Sequence, residues 1–172
     1  KKVNLGLDLQ GGSYMLLEVD SEPVLKQKLQ EKLLNFKKYL KKNKIQYQDL
    51  KITNQSINFF IGKNDIEKFE EFFLKKDNLI NIYYNQYRSY EMTYSIIDNE
   101  VKIEYSKFGI IEIKKTTLDQ SLEIVRRRID EVGTKEPTIL RRGNDRILIE
   151  LPGLENPNRI KKLLGKTANL SF

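Results

Sequence analysis

The chain has 172 residues, which is enough for one large or two small folded domains. Of these residues 39% are hydrophobic and 32% are charged, and the net charge is +7. It contains neither Cys nor His, which excludes disulfides, a thiol nucleophile, histidine acid–base catalysis and zinc sites of the usual Cys/His type. No apolar run approaches the roughly 20 residues of a membrane helix and Lys1 begins no signal peptide, so we expect any membrane anchor to lie outside this piece.

The first predicted elements are a strand at residues 13–19 and a long amphipathic helix at 24–42. Residues 20–23, between them, are of types that favour a turn and the start of a helix. The apolar stripe of that helix is formed by Leu25, Leu29, Leu33, Phe36 and Leu40. From Val24 to Lys44 there are eight lysines and one acid, so this segment alone carries the whole net charge of +7. Such a helix resembles one that rests on an anionic membrane surface, and the alternative is a solvated helix that packs its stripe on a sheet. The candidates for membrane contact are Lys26, Lys37, Lys38, Lys41 and Lys42.

Next along the chain, the pattern predicts a hairpin, a second helix and a further strand. Residues 50–53 and 56–61 flank Asn54-Gln55, which is typical of a hairpin turn. Asn64 followed by Glu67 resembles a capping box at the start of a helix, and residues 79–84 predict a strand. Together with the first elements, these give the order βαββαβ.

The same order is predicted a second time, after a linking hairpin at 86–107 that turns at residues 98–99. We expect a strand at 108–113, a helix opened by Thr117 and ended by Gly133, and a hairpin of residues 138–142 and 146–151. A short helix at 157–165 and a last strand at 168–172 complete the unit. The sequence therefore predicts an α+β fold of two tandem ferredoxin-like units, residues 1–107 and 108–172, joined by a β-hairpin. The strand pairing stays open, including an exchange of edge strands between the units.

Two motifs have both a structural and a functional interpretation. Gly11-Gly12, between alternating apolar residues, favours a bend in a strand, since the spacings of phosphate-binding glycine loops are absent. The run Arg126-Arg127-Arg128 can contact phosphate, but Glu123 and Asp130 lie four residues away on the same predicted helix and favour a solvated face.

Two stretches, one at each end of the chain, carry more specific motifs. Residues 5–12 read Leu-Gly-Leu-Asp-Leu-Gln-Gly-Gly, which resembles the signature that follows the first membrane helix in the SecD family of bacterial protein translocase subunits. Residues 124–133, 143–153 and 164–168, in that order, are similar to the later part of its first periplasmic region, and Thr134-Lys135 departs from the small apolar residues of the family. Residues 24–107 match no motif of the family. The resemblance rests on Asp8, Gln10, Gly11, Gly12, Arg126, Arg127, Arg128, Gly133, Glu136, Pro137, Gly143, Asp145, Arg146, Glu150, Pro152 and Gly153.

This resemblance implies a base domain on the periplasmic side of the bacterial inner membrane, cut before a mobile head that follows Phe172. It implies SecF and the SecYEG channel as partners, contact with unfolded translocating chains, and a role in late, proton-driven steps of export. The proton-carrying residues of the family belong to membrane helices, so no catalytic residue, cofactor or metal is expected in this piece.

The competing hypothesis is an RNA-binding protein, because a βαββαβ order with a basic net charge is also typical of RNA-recognition domains. The aromatic-rich motif of those domains is absent, and residues 138–142 and 146–151 contain no aromatic residue. The sequence therefore favours a domain of a protein-export machine without nucleic-acid binding.

Overall fold

The computed structural model describes residues 4–10, 14–131, 136–152, 162 and 164. Within them the chain forms strands and helices that are joined mostly by short turns. In chain order these are β1 (Asn4–Gln10), β2 (Tyr14–Asp20), α1 (Glu22–Lys42), β3 (Tyr47–Thr53), β4 (Ser56–Ile61), α2 (Ile66–Phe73), β5 (Tyr83–Tyr84), β6 (Ser89–Tyr90), β7 (Met92–Ile97), β8 (Glu100–Tyr105), α3 (Lys107–Asp130), β9 (Thr138–Arg142) and β10 (Arg146–Glu150). All strand pairs are antiparallel, which agrees with the predicted α+β class.

The chain divides into two compact units. The first consists of Lys1–Val24 and Glu112–Phe172, and the second of Leu25–Ile111. These bounds differ from the predicted 1–107 and 108–172, because β2 pairs with β10 and so joins the first predicted strand to the last predicted hairpin.

In the first unit, the described strands form one sheet in the order β1-β2-β10-β9. Alternate residues of β2 and β10 are buried, and so is a stripe of α3 spaced by three and four residues. The fully buried members are Leu17, Val125, Ile129, Ile147 and Ile149. One face of this sheet therefore belongs to the core of the unit, and we name the opposite face, on which Tyr14 and Leu140 are exposed, its free face.

In the second unit, β3, β4, β8 and β7 form a sheet in that order, and α1 and α2 pack against it. The core is rich in phenylalanine: the ring centroids of Phe36 and Phe73 lie 6.0 Å apart, and those of Phe59 and Phe69 lie 5.8 Å apart. The strand predicted to open the first ferredoxin-like unit, β2, lies in the sheet of β1, β10 and β9 and not in this one, so the described elements do not confirm the tandem ferredoxin-like detail.

The largest difference from the prediction concerns α3, which begins at Lys107 rather than at Thr117. The predicted strand at 108–113 is therefore wrong, because these residues form the first turns of the helix. The Ser106 side chain caps the helix by accepting a hydrogen bond from the Gly109 amide at 3.0 Å. Thr117 lies inside the helix, where its hydroxyl donates to the Ile113 carbonyl at 2.7 Å.

The residues predicted to form hairpin turns do form them. The hairpin turns at residues 54–55 and 98–99 are confirmed, and all four residues have the positive φ that such turns require.

Asn64 does not cap α2: it lies in a short 3₁₀ helix, Lys63–Asp65, and α2 follows directly. The predicted strand at 79–84 is reduced to Tyr83–Tyr84. The predicted helix end at Gly133 and strand at 168–172 lie outside the described residues, as does most of the helix at 157–165.

Candidate functional site

The two motif-bearing ends of the chain meet in one sheet. The β1–β2 hairpin carries the first motif and the β9–β10 hairpin carries part of the second. They join along β2 and β10, where Tyr14 lies opposite Glu150 and Glu18 lies opposite Arg146. We call this the motif sheet. Residues separated by more than 100 positions in sequence thus form a continuous surface.

On the free face of the motif sheet lies a row of three leucines. Leu16 of β2 is paired with Leu148 of β10, which is paired in turn with Leu140 of β9. Their neighbours Met15, Leu17, Ile139, Ile147 and Ile149 are all buried, so the alternation of a strand directs the three leucines to the opposite face. Leu140 is 53% exposed, while Leu16 and Leu148 are half-buried. We name these three residues the leucine row.

Charged and polar side chains lie on both sides of the leucine row. Arg142, Arg146 and Glu18 form the next row of the sheet on one side, and Thr138, Glu150 and Tyr14 form the row on the other. An open cavity of about 610 Å³ lies on this face, lined by Tyr14, Leu16, Arg142, Gly143, Asp145, Arg146 and Leu148. The face therefore combines an apolar centre with a charged rim of both signs, and it is shallow rather than closed.

The corresponding face of the second unit has a different chemistry. There the central row across β3, β4 and β8 consists of Lys51, Asn58 and Lys102, and beside it Lys102 forms an ion pair with Glu104 at 2.8 Å. Phe60 of β4 and Ile97 of β7 both lie opposite Glu100 of β8, and they are the large apolar side chains exposed on this face. The central row of this face is therefore polar, whereas the central row of the motif sheet is apolar.

The structure brings several of the predicted motif residues together in the motif sheet. Asp8 and Gln10 lie in β1, at the register positions opposite Leu16 and Tyr14. The main-chain carbonyl of Asp145 accepts a hydrogen bond from the Val19 amide at 2.6 Å. Gly143 turns the β9–β10 hairpin with a φ of +64°, and Arg146 and Glu150 are the first and last residues of β10. Gly11, Gly12, Gly133 and Gly153 lie outside the described residues.

The remaining motif residues lie away from the leucine row. Arg126, Arg127 and Arg128 are exposed on α3, where Arg127 pairs with Glu123 at 3.7 Å and Arg128 with Glu131 at 3.4 Å. Both pairs are solvated, so they contribute little to stability. Glu136 has a φ of +48° and precedes Pro137, and Pro152 is an exposed turn residue after β10.

The lysine-rich helix is α1, and four members of its predicted apolar stripe, Leu29, Leu33, Phe36 and Leu40, pack into the core of the second unit. All five lysines named as membrane candidates are exposed. The sequence does not distinguish Lys32 from them, yet only 13% of its side chain is exposed: it contacts the carboxylate of Glu91 and donates to the Ile80 carbonyl at 2.5 Å. The buried Tyr105 hydroxyl has no hydrogen-bond partner in the described part of the chain. Burial, and then the charge of Glu91, raise the pKa of Tyr105.

Two properties of the described residues concern metal binding and membrane crossing. No cluster of three or more acidic, His or Cys side chains could hold a metal ion there. None of the helices in the same residues is long and apolar enough to cross a membrane.

Comparisons with known proteins match both ends of the chain and its full length. The model of the SecD/SecF GG motif matches residues 1–22, and that of the N-terminal P1 domain of the protein translocase subunit SecDF matches residues 118–172. Both ranges lie entirely within the first unit. No solved structure matches the chain significantly.

Curated relatives named protein translocase subunit SecD match almost every residue of the chain. The protein of Rickettsia prowazekii (strain Madrid E) is 35% identical over 99% of this chain, and that of Acetobacter pasteurianus is 34% identical over 100% of it. The Pseudomonas aeruginosa protein is 31% identical over 99% of it. The chain spans only 31%, 32% and 26% of these relatives, respectively. From the two family models, and from relatives that match almost every residue of this chain, we conclude that the chain belongs to the SecD family and carries its GG motif and the N-terminal part of its P1 domain.

Proposed function

We propose that this chain is a base domain on the periplasmic side of the bacterial inner membrane and assists the late, proton-motive-force-dependent steps of protein export. The family consists of translocase subunits, not of known enzymes. In this proposal the parent protein works with SecF beside the SecYEG channel, and the chain contacts the unfolded protein that emerges. The observation that carries the proposal is the leucine row, because it lies in the sheet formed by both family motifs.

An unfolded protein chain is the partner whose chemistry fits this face. Such a chain presents apolar side chains of varied shape, and a shallow row of leucines accepts them without a shaped pocket. The rim of Arg142, Arg146, Glu18 and Glu150 offers partners for charges of either sign. Contact of this kind is weak and unselective, as a machine that handles many exported proteins requires.

The proposal is tested by the export of a reporter in cells whose only SecD protein is the full-length parent of this chain. Leu140→Asp places a charge in the leucine row at a site that is already 53% exposed, so folding should survive. We expect slower export with this variant. Phe60→Asp is the matched control, since Phe60 is 40% exposed on the sheet of the second unit and should leave export unchanged.

Equal export by the Leu140→Asp variant and the unsubstituted protein would contradict a role of the leucine row. Equal loss with Leu140→Asp and Phe60→Asp would show a general loss of stability and would also contradict it. The amounts of full-length protein in the membrane fraction should be compared in each strain, because a variant that is degraded does not report on contact with the exported chain.

We also propose that the exposed lysines of α1 face the anionic membrane surface. Lys37, Lys38, Lys41 and Lys42 are exposed on the last two turns of α1, while the opposite stripe is buried. Lysines near such a surface contribute about 1 kcal/mol each at most and are screened within about 10 Å at 0.1 M salt. Co-sedimentation with anionic vesicles should therefore decrease as salt is raised. No observation favours the RNA-binding alternative.

A further inference from the structure

A loop of the second unit exposes an unusual concentration of apolar side chains. We name residues 74–82, between α2 and β5, the apolar loop. Leu79 is 90% exposed, Leu74 45% and Ile82 43%. Leu79 is the most exposed of the large apolar residues in the described chain. A leucine in this position loses the burial that normally stabilises such a side chain, which calls for an explanation.

The apolar loop is held firmly by side chains beneath it. Asn78 donates to the Phe72 carbonyl at 2.8 Å and accepts from the Ile80 amide at 2.8 Å. Asn81, which is fully buried, donates to the Phe73 carbonyl at 3.1 Å and accepts from the Met92 amide at 2.9 Å. Leu79 lies between these two anchors. Its exposure is therefore fixed by the fold of the loop and does not reflect a loose segment.

The buried ion pair of the second unit also fixes the apolar loop. Lys32 of α1 donates to the Ile80 carbonyl while it contacts Glu91, and the Glu91 amide donates to the Ile82 carbonyl at 2.7 Å. The residues on both sides of Leu79 are thus joined to the core through polar groups. These hydrogen bonds hold the main chain on both sides of Leu79, while its side chain is exposed.

Tyrosines and lysines adjoin the apolar loop. The Tyr90 hydroxyl donates to the Leu74 carbonyl, and the Tyr90 ring packs against Tyr83 with centroids 4.9 Å apart. The ammonium of Lys76 lies 4.7 Å from the centroid of Tyr83. Lys75 and Lys76 are both exposed, next to Leu74. Half-buried tyrosines and lysines around an apolar tip are characteristic of side chains at a membrane–water interface.

We propose that the apolar loop inserts into the surface of a lipid bilayer, with Leu79 among the upper acyl chains and Tyr83, Tyr90 and Lys76 at the level of the headgroups. A bilayer receives an exposed apolar side chain without a matching pocket, and the tyrosines and Lys76 beside Leu79 suit the headgroup level of such a surface. Lys75 forms an exposed ion pair with Asp77 at 3.2 Å, and Lys76 complements the negative charge of anionic headgroups. The insertion is a contact separate from the lysines on the last turns of α1, and it depends on neither the leucine row nor the role in export.

The absence of tryptophan from the chain allows a direct test. Leu79→Trp introduces a single indole into the full 172-residue chain at the tip of the loop. On addition of vesicles of phosphatidylethanolamine and phosphatidylglycerol, we expect its emission to shift to shorter wavelength and to be quenched by brominated acyl chains. Ile97→Trp is the matched control: Ile97 is 71% exposed in the same unit but lies at the β7–β8 turn, so its emission should stay unchanged.

Binding provides a second measurement on the unlabelled chain. Full burial of a leucine side chain corresponds to at least about a tenfold change in an equilibrium constant, so Leu79→Ser should weaken vesicle partitioning about tenfold. Ile97→Ser should change it less than about twofold. The difference should persist at high salt, where attraction by the lysines of α1 is screened.

Three results would overturn the inference. The first is an unshifted Leu79→Trp spectrum with vesicles, and the second is an equal shift for Leu79→Trp and Ile97→Trp. The third is a shift of Leu79→Trp with a soluble unfolded polypeptide and none with vesicles, which would identify the loop as a protein-binding surface. Because none of these measurements involves export, their failure leaves the test of the proposed function intact.

Discussion

The sharpest stability prediction concerns the ion pair between Lys32 and Glu91. Their side chains are 13% and 7% exposed, so each charge depends on the other for compensation. Glu91→Gln keeps the size of the side chain but leaves the Lys32 ammonium buried, with the Ile80 carbonyl as a remaining partner. The perturbation is therefore the loss of one charge rather than the creation of a cavity.

Breaking a buried ion pair by removing one partner typically costs about 3–5 kcal/mol. The Ile80 carbonyl stays in contact with the ammonium, so we expect the lower end of that range, about 3 kcal/mol. This is a large part of the 5–15 kcal/mol that stabilises a typical domain. Adding Lys32→Met to Glu91→Gln removes the uncompensated charge and should restore about half of the loss or more.

Urea unfolding monitored by tyrosine fluorescence measures this effect in the relevant unit. Eight of the nine tyrosines lie in the second unit, because Tyr14 alone lies outside Leu25–Ile111. Glu104→Gln is the control, since its ion pair with Lys102 is about half exposed and should contribute less than about 1 kcal/mol. A loss below about 1 kcal/mol for Glu91→Gln, or no recovery in the double variant, would refute the argument.

Three further predictions use the same unit and the GG motif. Gly109→Ala places a Cβ atom 2.1 Å from the Glu91 carbonyl oxygen and should destabilise the second unit by about 1–3 kcal/mol, whereas Gly62→Ala, with its nearest neighbour at 3.9 Å, should have little effect in urea unfolding. Burial, and then a hydrogen bond to a carboxylate, raises the pKa of Tyr94 to about 12. Because the folded chain holds the phenol proton more tightly than the unfolded chain, protonated Tyr94 should stabilise the fold fully below pH 10, and this contribution should disappear as the pH rises through 12. Absorbance at 295 nm follows this titration, and the same pH dependence after Tyr94→Phe would contradict the assignment. Gly12→Val should impair export by the full-length protein without unfolding the isolated chain, and normal export would show that the glycine is incidental.

Local chemistry explains what the sequence predicted correctly. The turns at Asn54-Gln55 and Asp98-Asn99 were predictable because Asn and Asp tolerate positive φ, and the stripe of α1 because its spacing is helical. The start of α3 was missed because residues 108–113 are as apolar as a strand. The helix start also lacks the capping-box pattern, because the third helical residue after the cap Ser106 is Gly109 and not Glu or Gln.

Long-range pairing explains what the sequence could not supply. More than 120 residues separate β2 from β10, and alternation alone does not say which strand pairs with which. The leucine row did leave a signal, because Met15-Leu16-Leu17 and Ile147-Leu148-Ile149 are continuous apolar runs, typical of strands that are covered on both faces. The burial of Lys32 is also indicated by the sequence, since Lys32 lies between Leu29 and Phe36 on the buried stripe of α1.

The central claim is that the leucine row contacts the exported chain, and photo-crosslinking tests it most directly. A photoreactive amino acid is introduced at Leu140 of the full-length protein, or at Phe60 as the control, in cells that hold a reporter stalled during export. The account predicts a crosslink from position 140 to the stalled reporter and none from position 60. Crosslinks of equal yield from both positions, or none from position 140, would contradict it.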